Sequence, residues 1–226
     1  MDTNNKILGL AMFKALIGVL LLSFSVLGQA SQLQGYGAFT NLNKDWMLMA
    51  LYGHTQMKTE GQVGISSSQN PDVQIIPERL EIKIATEKFS KRRFRALWLE
   101  TLAVEHGTDQ VQEMGPELER FFSAFKGQLK RGDSLVLEVE DHKTKVTLDY
   151  QTIATLPDTF LYQLVSSLVG THPPSKALRQ GLTGAGSVRE QGDLAIRFER
   201  LEPTLPRIAQ VSRWKRKKVQ HLAAQD

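Results

Sequence analysis

Two helical patterns separated by a double proline stand out between Thr155 and Gly184. Asp158 can cap the first helix, and the apolar positions after it have the spacing of one buried face as far as Gly170. The prolines exclude a continuous helix, whereas Ser175 can cap a second one that ends at Gly184. The apolar positions are Phe160, Leu161, Leu164, Val165 and Leu168, then Ala177, Leu178 and Leu182. This block predicts two packed helices and contains no reactive motif.

Strand patterns precede this block. The run from Trp46 to Tyr52 is apolar throughout, which predicts a buried strand. Apolar and polar residues alternate from Leu80 to Ala85, which predicts a strand with one buried face. Polar turns separate three further short patterns, at residues 135–139, 146–150 and 153–155. We expect these three to form an antiparallel meander.

Two more helices are predicted between the second strand and the meander. Ser90 can cap a helix that Gly107 ends, and another begins near Pro116 and ends before Gly127. Strands and helices are therefore segregated along the chain, which favours an α+β fold with one helix-covered antiparallel sheet.

The remaining segments have weaker patterns. Residues 55–77 are rich in Gly, Ser, Gln and Asn, which predicts an irregular connection. Leu194, Ile196 and Phe198 alternate with more polar residues, which predicts a terminal strand, and the basic segment beyond Pro206 can form a helix.

The N-terminus has the features of a secretory signal peptide over residues 1–30. Lys6 and Lys14 precede an apolar run from Ala15 to Leu27, and small residues flank a cleavage position before Ser31. The alternative is an uncleaved membrane anchor that begins near Ile7. We expect an exported, periplasmic protein that, since the chain has no cysteine, is held together by its apolar core alone.

Charge is distributed unevenly along the chain. The net charge of +4, from 28 basic and 24 acidic residues, is too small to indicate a nucleic-acid-binding protein. Much of the excess lies near the C-terminus, which predicts a domain over residues 31–200 and a solvated basic tail over residues 201–226. The basic residues there are Arg207, Arg213, Lys215, Arg216, Lys217 and Lys218.

Metal and cofactor sites are not expected. The five histidines are scattered, and no two have the spacing of metal ligands. A haem ligand is the alternative, with His54 and His106 as the candidates. The serines and glycines lack the context of a nucleophile elbow or a phosphate-binding loop.

Two motifs connect the chain to a known family. Residues 130–133 (Lys-Arg-Gly-Asp) lead into an alternating strand, and residues 168–175 (Leu-Val-Gly-Thr-His-Pro-Pro-Ser) join the two final helices. In this order, between Gly35 and Gly184, they resemble the chalcone isomerase-like family, in particular its exported bacterial members. The resemblance implies an open-faced β-sandwich, with an antiparallel sheet, helices on one face and a cleft between them. That cleft holds a flavonoid in the plant enzymes and a fatty acid in non-catalytic members.

The resemblance also implies which residues perform the family's reaction, and this chain lacks them. The family's enzymes have an arginine on an early strand. The corresponding position in this chain falls near Phe39, and no arginine occurs between Ser31 and Pro77. The tyrosine before the first long helix is replaced by Phe89, and the asparagine in that helix is replaced near Ala96. Loss of one donor that stabilises developing charge typically costs about a hundredfold in rate or more.

The sequence therefore predicts a non-catalytic protein that binds a small apolar or amphipathic ligand, similar to a fatty acid, between sheet and helices. The expected cleft residues are Phe39, Trp46, Met47, Phe89, Ala96 and Trp98. One alternative is an isomerase or intramolecular lyase acting on an enone, with Tyr52 and Tyr150 as its hydroxyl groups. The other is an envelope interaction module that contacts anionic membrane through Arg213, Lys215, Arg216, Lys217 and Lys218.

Overall fold

The computed structural model describes residues 31–58, 64–66, 70 and 72–222, with side chains through residue 214. The N-terminal segment predicted to be a signal peptide lies outside the described residues. The described residues from Ser31 onward form one compact unit, and none of the helices described in it is long and apolar enough to cross a membrane.

One antiparallel sheet of seven strands forms the centre of the domain. Six strands lie in the order β1-β2-β4-β7-β8-β9, and the short β3 pairs with β4. A separate ribbon pairs β5 with β6. The strands are β1 Gln32–Asn41, β2 Lys44–Met57, β3 Ile65–Ser66, β4 Val73–Ile84, β5 Lys88–Phe89, β6 Leu129–Lys130, β7 Ser134–Glu140, β8 Lys143–Leu148 and β9 Gln151–Pro157.

Seven helices surround the sheet in the described part of the chain. They are α1 Lys91–His106, α2 Thr108–Glu113, α3 Gly115–Ala124, α4 Thr159–Val169, α5 Lys176–Leu182, α6 Val188–Glu199 and α7 Leu205–Leu222. The predicted caps are confirmed: the side chains of Ser90, Asp158 and Ser175 accept hydrogen bonds from backbone N–H groups at the starts of α1, α4 and α5.

The main core lies between one face of the sheet and the helices α1, α3, α4 and α5, as the α+β prediction requires. Strand β2 is buried on both faces. Met47, Met49 and Leu51 belong to this main core, whereas Leu48 and Ala50 pack with Phe198 of α6 on the opposite face. Cover on both faces explains why the run from Trp46 to Tyr52 lacks the polar alternation of an open strand.

Edge strand β1 is covered by α5, which approaches it closely. A Cβ atom at Gly37 would lie 2.8 Å from Leu178 Cδ1 and Leu182 Cγ, and one at Gly181 would lie 2.4 Å from the carbonyl oxygen of Tyr36. Gln191 of α6 accepts a hydrogen bond from Tyr36 N at 2.8 Å and donates one to Tyr36 O at 3.0 Å. The side-chain amide thus pairs with the backbone of an edge strand, which would otherwise be open to association.

The structure differs from the sequence pattern in one predicted strand, in the bounds of one connection and in one additional strand. The predicted terminal strand at Leu194 to Phe198 is part of α6, because a capping box between Ser187 and Glu190 starts a helix there. The predicted irregular connection is shorter, since β2 continues to Met57 and β4 begins at Val73. Strand β1 does not follow from the residue pattern, and only the family resemblance implies an early strand near Phe39.

The segment expected to be a solvated tail begins as a packed helix. Leu201 and Val211 are buried, and Arg207 is only 6% exposed. Arg207 Nη2 donates to Asp133 Oδ2 at 2.6 Å and its Nε to Asp133 Oδ1 at 2.8 Å, while Asp149 Oδ2 lies 3.6 Å from Nε. Burial and the nearby Asp133 raise the pKa of the Asp149 carboxyl group to about 7. The start of α7 is therefore fastened to the domain by a buried ion cluster.

Candidate ligand-binding cleft

A cleft of about 560 Å³ lies between the β1–β2 hairpin and α1. The hairpin contributes Phe39, Thr40, Asn41 and Trp46 to one wall. The loop between α4 and α5 contributes residues 172–174 at one end. Three elements that are distant in sequence therefore meet around one concave surface.

Helix α1 supplies the other wall through a single face. Its lining residues recur at three- and four-residue spacing, which places them on one side of the helix. Apolar and charged side chains alternate on this face, so the wall is amphipathic. They are Arg93, Ala96, Leu97, Glu100, Thr101 and Val104.

An aromatic cluster fixes one end of the cleft. The guanidinium group of Arg93 lies 4.4 Å from the centre of the Trp46 ring, in cation–π geometry. The Trp46 ring meets Phe89 edge-on at 5.4 Å, and Phe89 meets Phe94 edge-on at 5.6 Å. Because Phe89 and Phe94 are buried in the core, Trp46 and the group stacked on it have little freedom to move.

The other end of the cleft is positioned by Glu105 at the end of α1. Its carboxylate accepts hydrogen bonds from Thr171 N at 2.9 Å and from His172 N at 2.7 Å. A Cβ atom at Gly170 would lie 2.1 Å from Glu105 Oε1, so only glycine allows this approach. The residues before the double proline are thereby held against α1, and His172 is placed at the cleft.

Some polar side chains of the cleft already have hydrogen-bond partners within the protein, whereas the charge of Arg93 has no ion-pair partner among the described residues. Thr101 Oγ1 donates to Leu97 O at 2.8 Å, and Thr40 Oγ1 donates to Asp45 Oδ1 at 2.9 Å. Arg93, in contrast, has no carboxylate oxygen within 4 Å among the described residues. Arg93 is therefore a cation at the cleft that remains available to an anionic group.

A family comparison agrees with this architecture. Residues 18–184 match the model of the chalcone isomerase-like family. The chain belongs to the chalcone isomerase-like family. Among solved structures, a crystal structure of a fatty-acid-binding protein from Arabidopsis thaliana is similar at 17% identity, covers 75% of this chain and 92% of that chain, and has a TM-score of 0.47. None of the curated proteins matches the sequence.

The structure separates the six predicted cleft residues of this chalcone isomerase-like protein into three groups. Phe39, Trp46 and Ala96 line the cleft. Phe89 lies directly behind Trp46 and supports it without lining the cleft. Met47 and Trp98 are fully buried in the main core and do not reach the cleft, because each points from its strand or helix toward the core.

Sequence reasoning missed the charged cleft residues. Arg93 and Glu100 are not among the six predicted cleft residues, although they lie three and four positions from Ala96, which is one of the six. That spacing was the available signal. His172 lies in the motif that joins the two final predicted helices, and its place at the cleft depends on the contact with Glu105.

The hydroxyl groups proposed for an enone lyase do not line this cleft. Tyr52 packs with Leu48, Ala50 and Phe198 on the other face of the sheet, where burial and the nearby Glu81 raise the pKa of its hydroxyl. Tyr150 donates to Glu202 Oε2 at 3.2 Å on the exposed side. No group of three potential metal ligands was found among the described residues.

Proposed function

We propose that this protein binds a small amphipathic molecule with an anionic head group in the cleft between the β1–β2 hairpin and α1, and that it does so without catalysis. The observation that carries the proposal is the combination, in one cleft, of apolar side chains with Arg93, which has no carboxylate oxygen within 4 Å among the described residues. The apolar side chains are Phe39, Ala96, Leu97 and Val104. The guanidinium group offers a planar set of donors suited to a carboxylate.

The dimensions of the cleft suit a single acyl chain. Its volume of about 560 Å³ lies within the range of about 300–1,000 Å³ typical of small-molecule sites. At about 1.5 Å per residue, the face of α1 from Arg93 to Val104 extends for roughly 16 Å. An extended chain with its head group at Arg93 would lie along Ala96 and Leu97 toward Val104.

The absence of catalysis is proposed because Phe39 and Ala96 form apolar surface where the family's enzymes have polar groups, as the resemblance implies. An enone lyase is the weaker alternative, since Tyr52 and Tyr150 are remote from the cleft. Incubation with a chalcone and detection of the cyclised product by absorbance would test it, and turnover would contradict the binding-only proposal.

Titration calorimetry with dodecanoate tests the binding site. We expect Ala96→Trp to weaken binding at least tenfold, because Ala96 is exposed at the cleft and the larger side chain occupies it. Val188→Trp is the matched control, since Val188 is 91% exposed on α6 and the same side chain there leaves the cleft open. Equal binding by all three proteins, or no binding by the wild type, would contradict the site.

A second titration tests the role of Arg93. Loss of a hydrogen bond to a charged group costs about 1.5–3 kcal/mol, so Arg93→Gln should weaken dodecanoate binding by about tenfold or more. Binding of dodecanol, which has the same chain without the carboxylate, should change little. If both ligands lose affinity equally, Arg93 does not recognise the head group.

We also propose that the protein is exported to the periplasm. The charged start, apolar run and small residues of the first 30 positions support this proposal. Cell fractionation followed by intact-mass measurement tests it. A periplasmic protein that begins at Ser31 is expected, and a cytoplasmic full-length chain would contradict it.

A further inference from the structure

One end of the sheet collects exposed positive charge. Strands β1 and β4 end at this end of the sheet, and strands β2 and β7 begin there. The β5–β6 ribbon extends from the same end. We call this end of the sheet the basic end. Its exposed cations come from five separate elements or turns, so they form a surface rather than a single charged segment. They are Lys44, Lys88, Lys91, Arg92, Arg131 and Arg200.

Most of these cations lack a counter-charge. Among the described residues, Arg131 alone of the six has a carboxylate within 4 Å, that of Glu87 at 3.7 Å. Lys88 and Lys130 face each other across the β5–β6 ribbon, which places like charges in direct opposition. Lys91 and Arg92 occupy the first turn of α1, where the helix dipole disfavours cations. Folding alone does not favour this arrangement.

A second cleft lies within the basic end. It measures about 630 Å³, is lined by Lys44, Arg131, Arg197 and Arg200, and is separated from the ligand-binding cleft by Trp46, which lines both. Two carboxylates line it as well: Asp45 is paired with Arg197, and Glu87 lies 3.7 Å from Arg131, which leaves Lys44 and Arg200 without a counter-charge in the part of the chain that the structure describes. The cleft therefore retains excess positive charge on a concave surface that an anionic head group can enter.

Exposed apolar side chains accompany the charge. Leu42 at the tip of the β1–β2 hairpin is 87% exposed, and Leu205 at the start of α7 is 81% exposed. Tyr150, in the turn between β8 and β9 at the same end of the sheet, is 68% exposed. A single exposed leucine is unremarkable, but two within a cationic surface have the composition of a membrane-binding face.

We propose that the basic end docks on the surface of an anionic phospholipid bilayer. Cations would lie among the lipid phosphates, while Leu42 and Leu205 enter the interface. A nucleic acid would be attracted by the same charges but would gain nothing from exposed leucines. Docking does not require the proposed function; if both hold, the ligand-binding cleft adjoins the bilayer at Trp46, where an amphipathic ligand can enter from the lipid.

Vesicle co-sedimentation of the full chain tests the docking. Vesicles of phosphatidylcholine alone measure any contribution of the apolar N-terminal run to binding. Vesicles that contain about 30% phosphatidylglycerol measure the additional binding that depends on anionic lipid, which we call the anionic component. Each basic residue near an anionic surface contributes about a factor of five. The triple variant Lys88→Gln, Arg92→Gln, Arg200→Gln should therefore lose roughly 100-fold of the anionic component.

The matched control removes three cations elsewhere, in Lys58→Gln, Lys143→Gln, Arg189→Gln. Lys58 and Lys143 lie at the opposite end of the sheet, at the end of β2 and the start of β8. The control should bind anionic vesicles almost as well as the wild type, and Leu42→Ser with Leu205→Ser should weaken binding at unchanged charge. Equal loss in both triple variants would overturn the proposal, as would binding to duplex DNA that is stronger than vesicle binding and insensitive to the leucines.

Discussion

Asp149 is a buried carboxyl group whose ionisation the fold opposes. Burial and Asp133 raise its pKa to about 7, while an unfolded chain would titrate near the ordinary value. Between those values the folded protein binds more protons than the unfolded one, so the free energy of unfolding should fall as the pH rises from about 4 to 7. Each unit of pKa difference corresponds to about 1.4 kcal/mol.

Asp149→Asn should remove the part of that pH dependence that comes from this carboxyl group. Asparagine can still accept the hydrogen bond from Ser134 N, and it tolerates the positive φ of 46° at this position. Urea unfolding at pH 5 and pH 8 provides the measurement: the wild type should be less stable at pH 8 by up to a few kcal/mol, and the variant should show a smaller difference. An unchanged difference in the variant would show that another group titrates.

At the scale of elements, the close contact between α5 and β1 depends on small residues. Gly181→Ala would place a methyl group 2.4 Å from the Tyr36 carbonyl oxygen, which is backbone and cannot rotate away. We expect destabilisation of about 1–3 kcal/mol. Gly192→Ala is the control, because nothing lies within 4 Å of its Cβ position in α6, and it should stabilise by about 0.5–1 kcal/mol. Thermal melts that shift in the same direction would contradict this packing.

The connection between α4 and α5 depends on Glu105 in the same way. Glu105→Ala leaves the backbone N–H groups of Thr171 and His172 without their acceptor, which should cost about 1–3 kcal/mol. Glu105→Gln retains one acceptor oxygen and should cost less. Hydrogen exchange at these two amides gives the local readout, and equal exchange rates in wild type and both variants would rule out the anchoring role.

An element is predicted well when the interactions that define it lie close together in the sequence. The starts of α1, α4 and α5 follow from Ser90, Asp158 and Ser175, whose hydrogen bonds reach no further than three residues. The prediction of a strand at Leu194 to Phe198 is wrong because five residues of alternation do not exclude a helix. The capping box that begins seven residues before Leu194 starts a helix that includes this segment. Strand β1 contains two glycines and few apolar residues, and is defined by pairing with β2.

At the scale of the whole molecule, α7 belongs to the folded domain. A chain that stops after Thr204 loses Arg207 and leaves Asp133 and Asp149 buried without their cation, which should cost about 3–5 kcal/mol. A chain that stops after Trp214 lacks the basic run but keeps Arg207, Val211 and Trp214, and should unfold at nearly the wild-type urea concentration. Equal stability of the two truncations would contradict the role of the ion cluster.

The cleft could be predicted only in part, because it is a property of assembled elements. Phe39 and Ala96 were found through the family resemblance, which places them around the family's site, whereas Trp46 was predicted as a cleft residue without such a correspondence. Sequence patterns cannot distinguish Ala96, which lines the cleft, from Trp98, which is in the core, without the rotation of α1 against the sheet. The spacing of Arg93 from Ala96 is a signal in the sequence, but its stacking on Trp46 is a property of the assembled structure.

Native mass spectrometry of the purified protein tests the central claim most directly, because it detects an occupied cleft without assuming the ligand. The wild type and Val188→Trp should carry an organic adduct, or acquire one on incubation with dodecanoate, whereas Ala96→Trp should remain at its sequence mass. A wild type that stays free of adduct after incubation, or an adduct that persists in Ala96→Trp, would contradict ligand binding in this cleft.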